Sequence, residues 1–129
     1  MNRTWEEILP PPGANVISSR WVFDIKYAEN SGIDKFKARL VARGFSQRYG
    51  IDYQDTFTPT MRIDSLRVLL AIVAVEDLEY HQVDVNNAFT QSTNTETIYM
   101  SPPDGVRTAK GRVLKVLKSL YGLKQAARD

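Results

Sequence analysis

The sequence contains no cysteine and only one histidine among its 129 residues. Without thiols there is neither a disulfide framework nor a thiolate metal site. His81 has no second histidine or cysteine at ligand spacing, so we interpret it as a structural residue rather than a zinc ligand. The longest uncharged apolar run, residues 68–75, is too short to span a bilayer, and the first segment, MNRTWEEILPPPG, lacks the apolar core of a signal peptide. These absences predict an intracellular protein, cytoplasmic or nuclear, that is neither secreted nor inserted in a membrane.

Several motifs of nucleotide and acyl-transfer chemistry are also missing. There is no P-loop, no GxGxxG segment after a predicted strand and no serine or cysteine in a nucleophile elbow. What is present is the balance of a soluble globular protein, with 43% apolar and 25% charged residues. A length of 129 residues suits one ordinary domain. Length and composition alone therefore predict one complete domain.

The formal net charge is only +2, but the charges are unevenly distributed. Residues 35–48 and 105–128 carry only positive charges, whereas residues 49–104 carry nine acidic side chains against Arg62 and Arg67. Two basic segments thus flank an acidic middle. One interpretation is an ordinary solvated surface. The other is that the basic segments hold an anionic polymer or a polyphosphate, with carboxylates between them that hold cations.

The first half of the chain is predicted to form a short helix and then a β-hairpin. Residues 5–9 are interpreted as the helix, which cannot continue through Pro10-Pro11-Pro12-Gly13. Ser19–Tyr27 is rich in aromatic and β-branched residues, which favours a strand. Asn30-Ser31-Gly32 is typical of a turn. Residues 35–45 then supply the partner strand of the hairpin.

The second strand of this hairpin alternates between cationic and apolar residues. One face carries Lys35, Lys37 and Arg39, and the other carries Phe36, Ala38 and Leu40. Three cations in a row repel each other, whereas an ordinary exposed strand more often mixes signs. This face therefore favours an anionic partner.

The second half is predicted to contain the main core helix and a strand that ends in a carboxylate. Apolar residues recur at helical spacing, so we predict a helix at about residues 65–76 that is buried on most sides. Residues 80–85 are interpreted as a buried strand, and Asp84 lies at its end. A carboxylate there is costly to bury unless it is paired or binds a metal. The alternative is a surface aspartate at the end of a strand, which is the commoner arrangement.

Two later segments leave their structure open. Ala88-Phe89 could begin a turn or a helix. Residues 112–123 place apolar side chains at helical spacing, but their apolar pairs fit a strand equally well. The order of elements predicts an α+β fold with an antiparallel hairpin near its beginning.

Six strings occur in an order and spacing typical of one family. They are RWVFDIKY, KFKARLVARGFSQRYGIDYQDTFTPT, SLRVLLAI, HQVDVNNAF, IYMSPPDG and KSLYGLKQAAR. Together they resemble the reverse transcriptase domain of copia-type (Pseudoviridae) LTR retrotransposons, and the resemblance covers essentially the whole chain. It implies the fold of a right-hand polymerase, with fingers at about residues 17–60 and part of the palm at about residues 61–129.

The resemblance implies an RNA-directed DNA polymerase, a nucleotidyltransferase that adds deoxynucleotides to a primer on an RNA or DNA template. Two Mg²⁺ ions would assist the displacement of pyrophosphate. In VDVNNAF, Asp84 takes the place of a metal-binding catalytic aspartate and the Val85 carbonyl that of its companion ligand. Phe89 falls where the family has an aromatic gate that excludes a ribose 2′-hydroxyl. The alternative for Phe89 is a plain core residue.

The same resemblance assigns substrate contacts. It places Lys35, Lys37 and Arg39 on the face that would hold the triphosphate of the incoming deoxynucleotide. It does not decide which of the three contacts the triphosphate. In YGLKQAAR, Gly122 would let the backbone approach closely, and Lys124 would face the substrates or the template. The implied partners are the template–primer, deoxynucleoside triphosphates and the remainder of a retrotransposon polyprotein.

The sequence also departs from the family. Ala127 stands where a proline is usual, and no Tyr-x-Asp-Asp motif, which would supply two further catalytic aspartates, occurs in the chain. We therefore expect residues 1–129 to be the N-terminal part of a larger domain, inactive by themselves as a polymerase because Asp84 is one carboxylate of three. Two alternatives stay open: a non-enzymatic nucleic-acid-binding module, and a decayed transposon relic.

Overall fold

A computed structural model describes residues 3–129, which form six strands and two α-helices. The strands are β1 (Trp5–Ile8), β2 (Val16–Ile17), β3 (Ser19–Tyr27), β4 (Ile33–Ala42), β5 (Thr93–Met100) and β6 (Val113–Lys118). The helices are α1 (Ile63–Val75) and α2 (Ala88–Gln91), and a single 3₁₀ turn covers Gly44–Ser46. The predicted α+β class is therefore correct. None of the helices in this part of the chain is long and apolar enough to cross a membrane.

A four-stranded sheet in the order β1-β6-β5-β2 pairs the first strand in the sequence with the last. β1 and β5 run antiparallel to β6, and β2 runs parallel to β5. The prediction of a helix at residues 5–9 is wrong, because this segment is strand β1, with Trp5 opposite Val116 and Ile8 opposite Val113. A helix of five residues is too short to be stable on its own, whereas pairing with β6 supplies the segment with backbone hydrogen bonds to a neighbouring strand.

The core lies at the four-stranded sheet and the segment that follows it. Its buried apolar residues are Ile17, Ala42, Ile98, Met100, Leu114, Val116, Leu120, Leu123 and Ala126. Ile98 and Met100 of β5 lie directly opposite Val116 and Leu114 of β6, so alternate residues of both strands face the core. Residues 112–123 thus take the strand conformation rather than the helical one in their first half.

The predicted β-hairpin is confirmed. β3 has the predicted bounds Ser19–Tyr27, and it pairs antiparallel with β4 from Ser19–Ala42 at one end to Tyr27–Ile33 at the other. The turn lies where Asn30-Ser31-Gly32 predicts it, and Ser31 has a positive φ of 63°. β4 ends at Ala42, three residues before the predicted end, because the chain turns into the 3₁₀ turn at Gly44.

Helix α1 forms where it is predicted, but the prediction that it is the buried core is wrong. None of its residues is buried, and Val68 and Ile72 are 60% and 50% exposed. Apolar residues at helical spacing give a helix one apolar side. That side is buried only if another part of the structure packs against it. In residues 3–129 no other helix or strand packs extensively on α1.

The prediction of a buried strand at residues 80–85 is also wrong. This segment has no regular secondary structure, and all of its residues are exposed. Tyr80, His81 and Val83 line a groove of about 480 Å³ together with the apolar side of α1. A strand needs a neighbouring strand to pair with, and among the described residues none lies beside this segment.

The hairpin is joined to the end of the chain by a close backbone crossing. The Ala42 N–H donates to Tyr121 O at 2.8 Å, and the Gly44 N–H donates to Gly122 O at 3.1 Å. A Cβ atom at Gly44 would collide with Gly122 O, and one at Gly122 would collide with Ala42 O. Gly122 also has a φ of +88°, which L-residues with a side chain rarely adopt. Both positions therefore require glycine.

Gly122→Ala should destabilise the fold by at least about 3 kcal/mol, because steric overlap adds to the left-handed backbone cost of about 1–2 kcal/mol. Gly111→Ala is the matched control, since Gly111 has a φ of +79° but open space around its Cα. We expect the control to lose only the backbone cost. Urea unfolding measures both; equal losses in the two variants would contradict the tight crossing.

Candidate functional site

The hairpin presents one cationic face. Because β3 pairs with β4 in register, Lys26 lies directly opposite Lys35, Asp24 opposite Lys37, and Val22 opposite Arg39. Like charges that face each other across two strands repel. Lys26 extends the predicted cationic face of β4 onto β3, and Asp24 is the acidic residue on this face.

Asp24 is held in its ionised form by this face. The Lys26 ammonium lies 3.1 Å from an Asp24 carboxylate oxygen. Its hydrogen bond and its charge hold the pKa of Asp24 below the usual range, and the charge of Arg39 adds to the effect. One carboxylate thus offsets part of the positive charge on the face and leaves a net cationic surface.

Arg39 lies over the ring of Tyr121, away from the hairpin turn. Its guanidinium carbon lies 5.6 Å from the centre of the Tyr121 ring, and Phe89 packs edge-on against Tyr121 with ring centres 4.6 Å apart. Arg39, Tyr121 and Asn87 line a cavity of about 210 Å³. The structure therefore brings together two residues predicted for the site, Arg39 and Phe89, through Tyr121, which the prediction did not include.

The positions of Gly122 and Lys124 follow from the backbone crossing. Gly122 touches the end of β4, so its close approach is to the protein's own backbone. The Lys124 ammonium donates to the Tyr53 hydroxyl at 3.1 Å and lies 4.6 Å from the centre of the Tyr53 ring. Lys35 and Lys37 lie nearer the hairpin turn than Arg39 does.

Asp84 and Val85 lie on the exposed segment that precedes α2, and neither belongs to a strand. No group of three or more histidine, cysteine, aspartate or glutamate side chains that could hold a metal ion occurs in residues 3–129. The described residues thus offer one exposed carboxylate where a Mg²⁺ ion would need several oxygen ligands. By themselves they do not fit the metal pair that the resemblance implies.

A buried amide network beside the crossing was missed by the sequence reasoning. The Gln47 amide donates to Gln125 Oε1 at 3.0 Å, and the Gln125 amide donates to Asp52 O at 3.2 Å and to Asn94 Oδ1 at 3.4 Å. Gln125 is fully buried, and buried amides need such partners. The residues around Gln47 and Gln125 do not indicate that the two side chains pair, because they lie 78 residues apart in the chain.

The ion pair on the cationic face gives a titration test. Lys26→Gln should raise the pKa of Asp24 toward its usual value, because the hydrogen-bonded cation is lost. A depressed pKa contributes stability above the unfolded-state value, and the contribution is lost as the pH falls through the folded-state value. NMR titration of the Asp24 carboxyl carbon measures the change. Lys110→Gln should leave it unchanged, and an unaltered Asp24 titration in the Lys26 variant would contradict the ion pair.

Comparison with known proteins agrees with the resemblance in the sequence. The family model for reverse transcriptase (RNA-dependent DNA polymerase) matches residues 2–129. The chain is similar to the retrovirus-related Pol polyproteins from transposons RE1 and RE2 of Arabidopsis thaliana, at 42% and 40% identity over 98% of the chain. It is also similar to the one from transposon TNT 1-94 of Nicotiana tabacum, at 41% identity over 99% of the chain.

The chain spans 9–10% of the length of these curated relatives. No solved structure matches it significantly. The family model covers nearly all of the chain, and these relatives are 40–42% identical to it. The chain therefore belongs to the reverse transcriptase family of copia-type retrotransposon Pol polyproteins and is a fragment of that domain.

Proposed function

We propose that this chain is the part of an RNA-directed DNA polymerase that holds the template–primer and the incoming deoxynucleotide. In this proposal residues 17–60 form the fingers, residues 61–129 form part of the palm, and the fragment works in the cytoplasm or nucleus within a larger Pol polyprotein. The observation that carries it is the cationic face of the hairpin, which ends at Arg39 beside Tyr121, the ring on which Phe89 packs. Phosphate groups are the anions that such a face suits.

Lys35, Lys37 and Arg39 have different chemistry on this face. The two lysines are mobile point charges that neutralise phosphate oxygens, whereas arginine offers a planar fork that can bind two oxygens at once. Contact with the Tyr121 ring restricts where the Arg39 guanidinium can lie. We therefore assign the directional contact with the triphosphate to Arg39 and the less directional attraction to the lysines.

Phe89 is the proposed gate against ribonucleotides. It is half-buried and packs at a right angle against the ring of Tyr121. Tyr121 lines the cavity beside Arg39, so Phe89 is held next to that cavity. A fixed ring is what steric exclusion of a 2′-hydroxyl requires. Phe89 also packs against the core, so both readings of this residue from the sequence have structural support.

Asp84 is proposed as one metal ligand, with the Val85 carbonyl as its companion. Reverse transcriptases generally use divalent metals; bound here, they would help to activate the primer hydroxyl and to stabilise the pyrophosphate that leaves, with Asp84 supplying one of their ligands. The exposed position of Asp84 leaves its carboxylate available to join further carboxylates.

A non-enzymatic nucleic-acid-binding module is the alternative, because the cationic face does not depend on Asp84. Both functions predict salt-dependent binding to an RNA–DNA duplex. Polymerase activity separates them, provided that it is measured in a longer polyprotein fragment that supplies the other catalytic carboxylates.

Lys35→Gln combined with Lys37→Gln should weaken duplex binding. Each lost phosphate contact lowers the magnitude of the log–log salt slope by about 0.9, so we expect a decrease of up to about 2. Fluorescence anisotropy of a labelled RNA–DNA duplex at several salt concentrations measures both affinity and slope.

The matched control for that experiment is Arg107→Gln with Lys110→Gln, which removes the same charge from an exposed segment outside the hairpin. Asp84→Asn should leave duplex binding unchanged. If the two double variants lose equal affinity, the hairpin face is not the binding surface.

Residues 1–129 alone should not extend a primer. Of the carboxylates that the resemblance assigns to the metal pair, this segment contains only Asp84. Incubation of the purified chain with primer–template, deoxynucleotides and Mg²⁺, followed by gel analysis of the primer, tests this. Extension that Asp84→Asn abolishes would refute the prediction.

A further inference from the structure

The β-hairpin has a second face, opposite the cationic one, and this face is apolar. In the register of β3 and β4, Phe23 lies opposite Ala38 and Ile25 lies opposite Phe36. Because successive residues of a strand point to opposite sides, these four residues and Tyr27 share one side of the hairpin. We call these five residues the apolar hairpin face.

Most of the apolar hairpin face is exposed to solvent. Phe23, Tyr27 and Phe36 are 75%, 65% and 76% exposed. Toward the base of the hairpin the same side is covered, since Leu40, two residues beyond Ala38, packs against the core. The uncovered part is therefore the half of the hairpin nearer the turn.

The shape of this face allows large side chains to enter it. A hollow of about 810 Å³ lies on it, and all five residues of the apolar hairpin face line the hollow. Ala38 is the one small side chain among them, so Phe23 has no large side chain opposite it on β4. An aromatic side chain from a partner can pack in this place.

The apolar hairpin face differs from the exposed apolar surface of α1. Val68 and Leu70 are 60% and 42% exposed, and residues two apart lie on nearly opposite sides of a helix. Covering α1 therefore needs structure on more than one side. The hairpin is apolar on one side only, so a single sheet-like partner covers it and leaves the cationic face in solvent.

We propose that the apolar hairpin face binds the same face of a second copy of this chain, in a dimer with two-fold symmetry. Ile25 and Phe36 form the middle of the face, so the two-fold axis passes through this pair. Tyr27 of each copy then lies over Phe23 and Ala38 of the other, where the small side chain leaves room. The two hairpins pack about 10 Å apart with their cationic faces outward.

The exposed area is what a weak, reversible dimer needs. A covered aromatic side chain buries roughly 150–250 Å², so at their exposed fractions Phe23, Tyr27 and Phe36 offer roughly 400 Å² in each copy. Ile25, which is 41% exposed, brings the total for two copies close to about 1,000 Å², the lower limit for a specific interface. The dimer should therefore depend on protein concentration. It does not rest on the proposed function, because it uses the opposite face of the hairpin.

Sedimentation velocity of the purified chain over a range of concentrations measures the dimer. Phe36→Thr removes the central aromatic ring but keeps a residue that favours a strand. We expect it to raise the dissociation constant of the dimer at least about tenfold, because the ring is lost from both copies. Phe57→Thr is the matched control, since Phe57 is 74% exposed and lies outside the hairpin. It should leave the dissociation constant unchanged, and urea unfolding checks that both variants keep the fold.

A cross-link tests the position of the two-fold axis. The chain has no cysteine, so a single introduced thiol is the only one that a bismaleimide can join. Ile25→Cys should give a covalent dimer with a short bismaleimide, because the two copies of this position face each other across the axis. Phe57→Cys should give none, and adding Phe36→Thr to Ile25→Cys should reduce the yield.

Salt separates this dimer from two chains joined by a bound nucleic acid. Association through apolar side chains does not weaken as salt is raised, whereas binding of the cationic face to phosphates does. A dimer that dissociates with added salt would therefore contradict the apolar contact.

Three further results would overturn the proposal. They are a chain that stays monomeric at every concentration, association that Phe36→Thr leaves unchanged while Leu69→Gln on α1 abolishes it, and a longer polyprotein fragment that is monomeric where residues 1–129 form dimers. The last result would show that this face is covered within one polyprotein. None of them bears on duplex binding by the cationic face, so the two proposals fail independently.

Discussion

The close backbone crossing between residues 42–44 and 121–122 is the constraint on which the candidate site depends. Hydrogen bonds from Ala42 to Tyr121 and from Gly44 to Gly122 fix the end of β4 against the segment after β6. Only glycine at both positions allows this approach. The crossing brings Tyr121 beside Arg39 and so connects the cationic face to the cavity beside Phe89. It acts together with the hydrogen bond from the Trp21 indole N–H to Asp104 O at 2.9 Å, which ties β3 to the segment after β5.

The amide network stabilises the same junction from inside. Gln47 and Gln125 come from the two segments that cross, and they satisfy each other in the buried interior. A buried amide without partners is costly, so the network favours one arrangement of these segments. The same arrangement sets the position of Lys124, whose N–H is bound by Gln47. One buried polar cluster therefore supports both the junction with the cationic hairpin and the position of the exposed Lys124.

Some apolar side chains of the fragment are buried in a core, whereas others are exposed to solvent. The four-stranded sheet and the 120–126 segment enclose a core. In contrast, α1 has no buried residue, and Phe23 and Phe36 of the hairpin are 75% and 76% exposed. Large exposed apolar patches mark contact sites with other structure. Their presence suits a chain that is a fragment of a reverse transcriptase domain and spans about a tenth of its relatives.

The sequence by itself determined the local structure and the family. Alternation and turn residues predict β3, its turn and β4, because these depend on neighbours along the chain, and periodicity predicts α1. Only the tertiary structure decided that residues 5–8 form a strand, that α1 is uncovered and that residues 80–85 remain exposed. Each of these depends on whether a distant segment supplies hydrogen bonds or apolar cover, and propensity contains no such information. The alternation along β4 is enough to predict Arg39 as a cation of the site. Its contact with Tyr121, 82 residues away, forms only because the glycine crossing brings the two segments together.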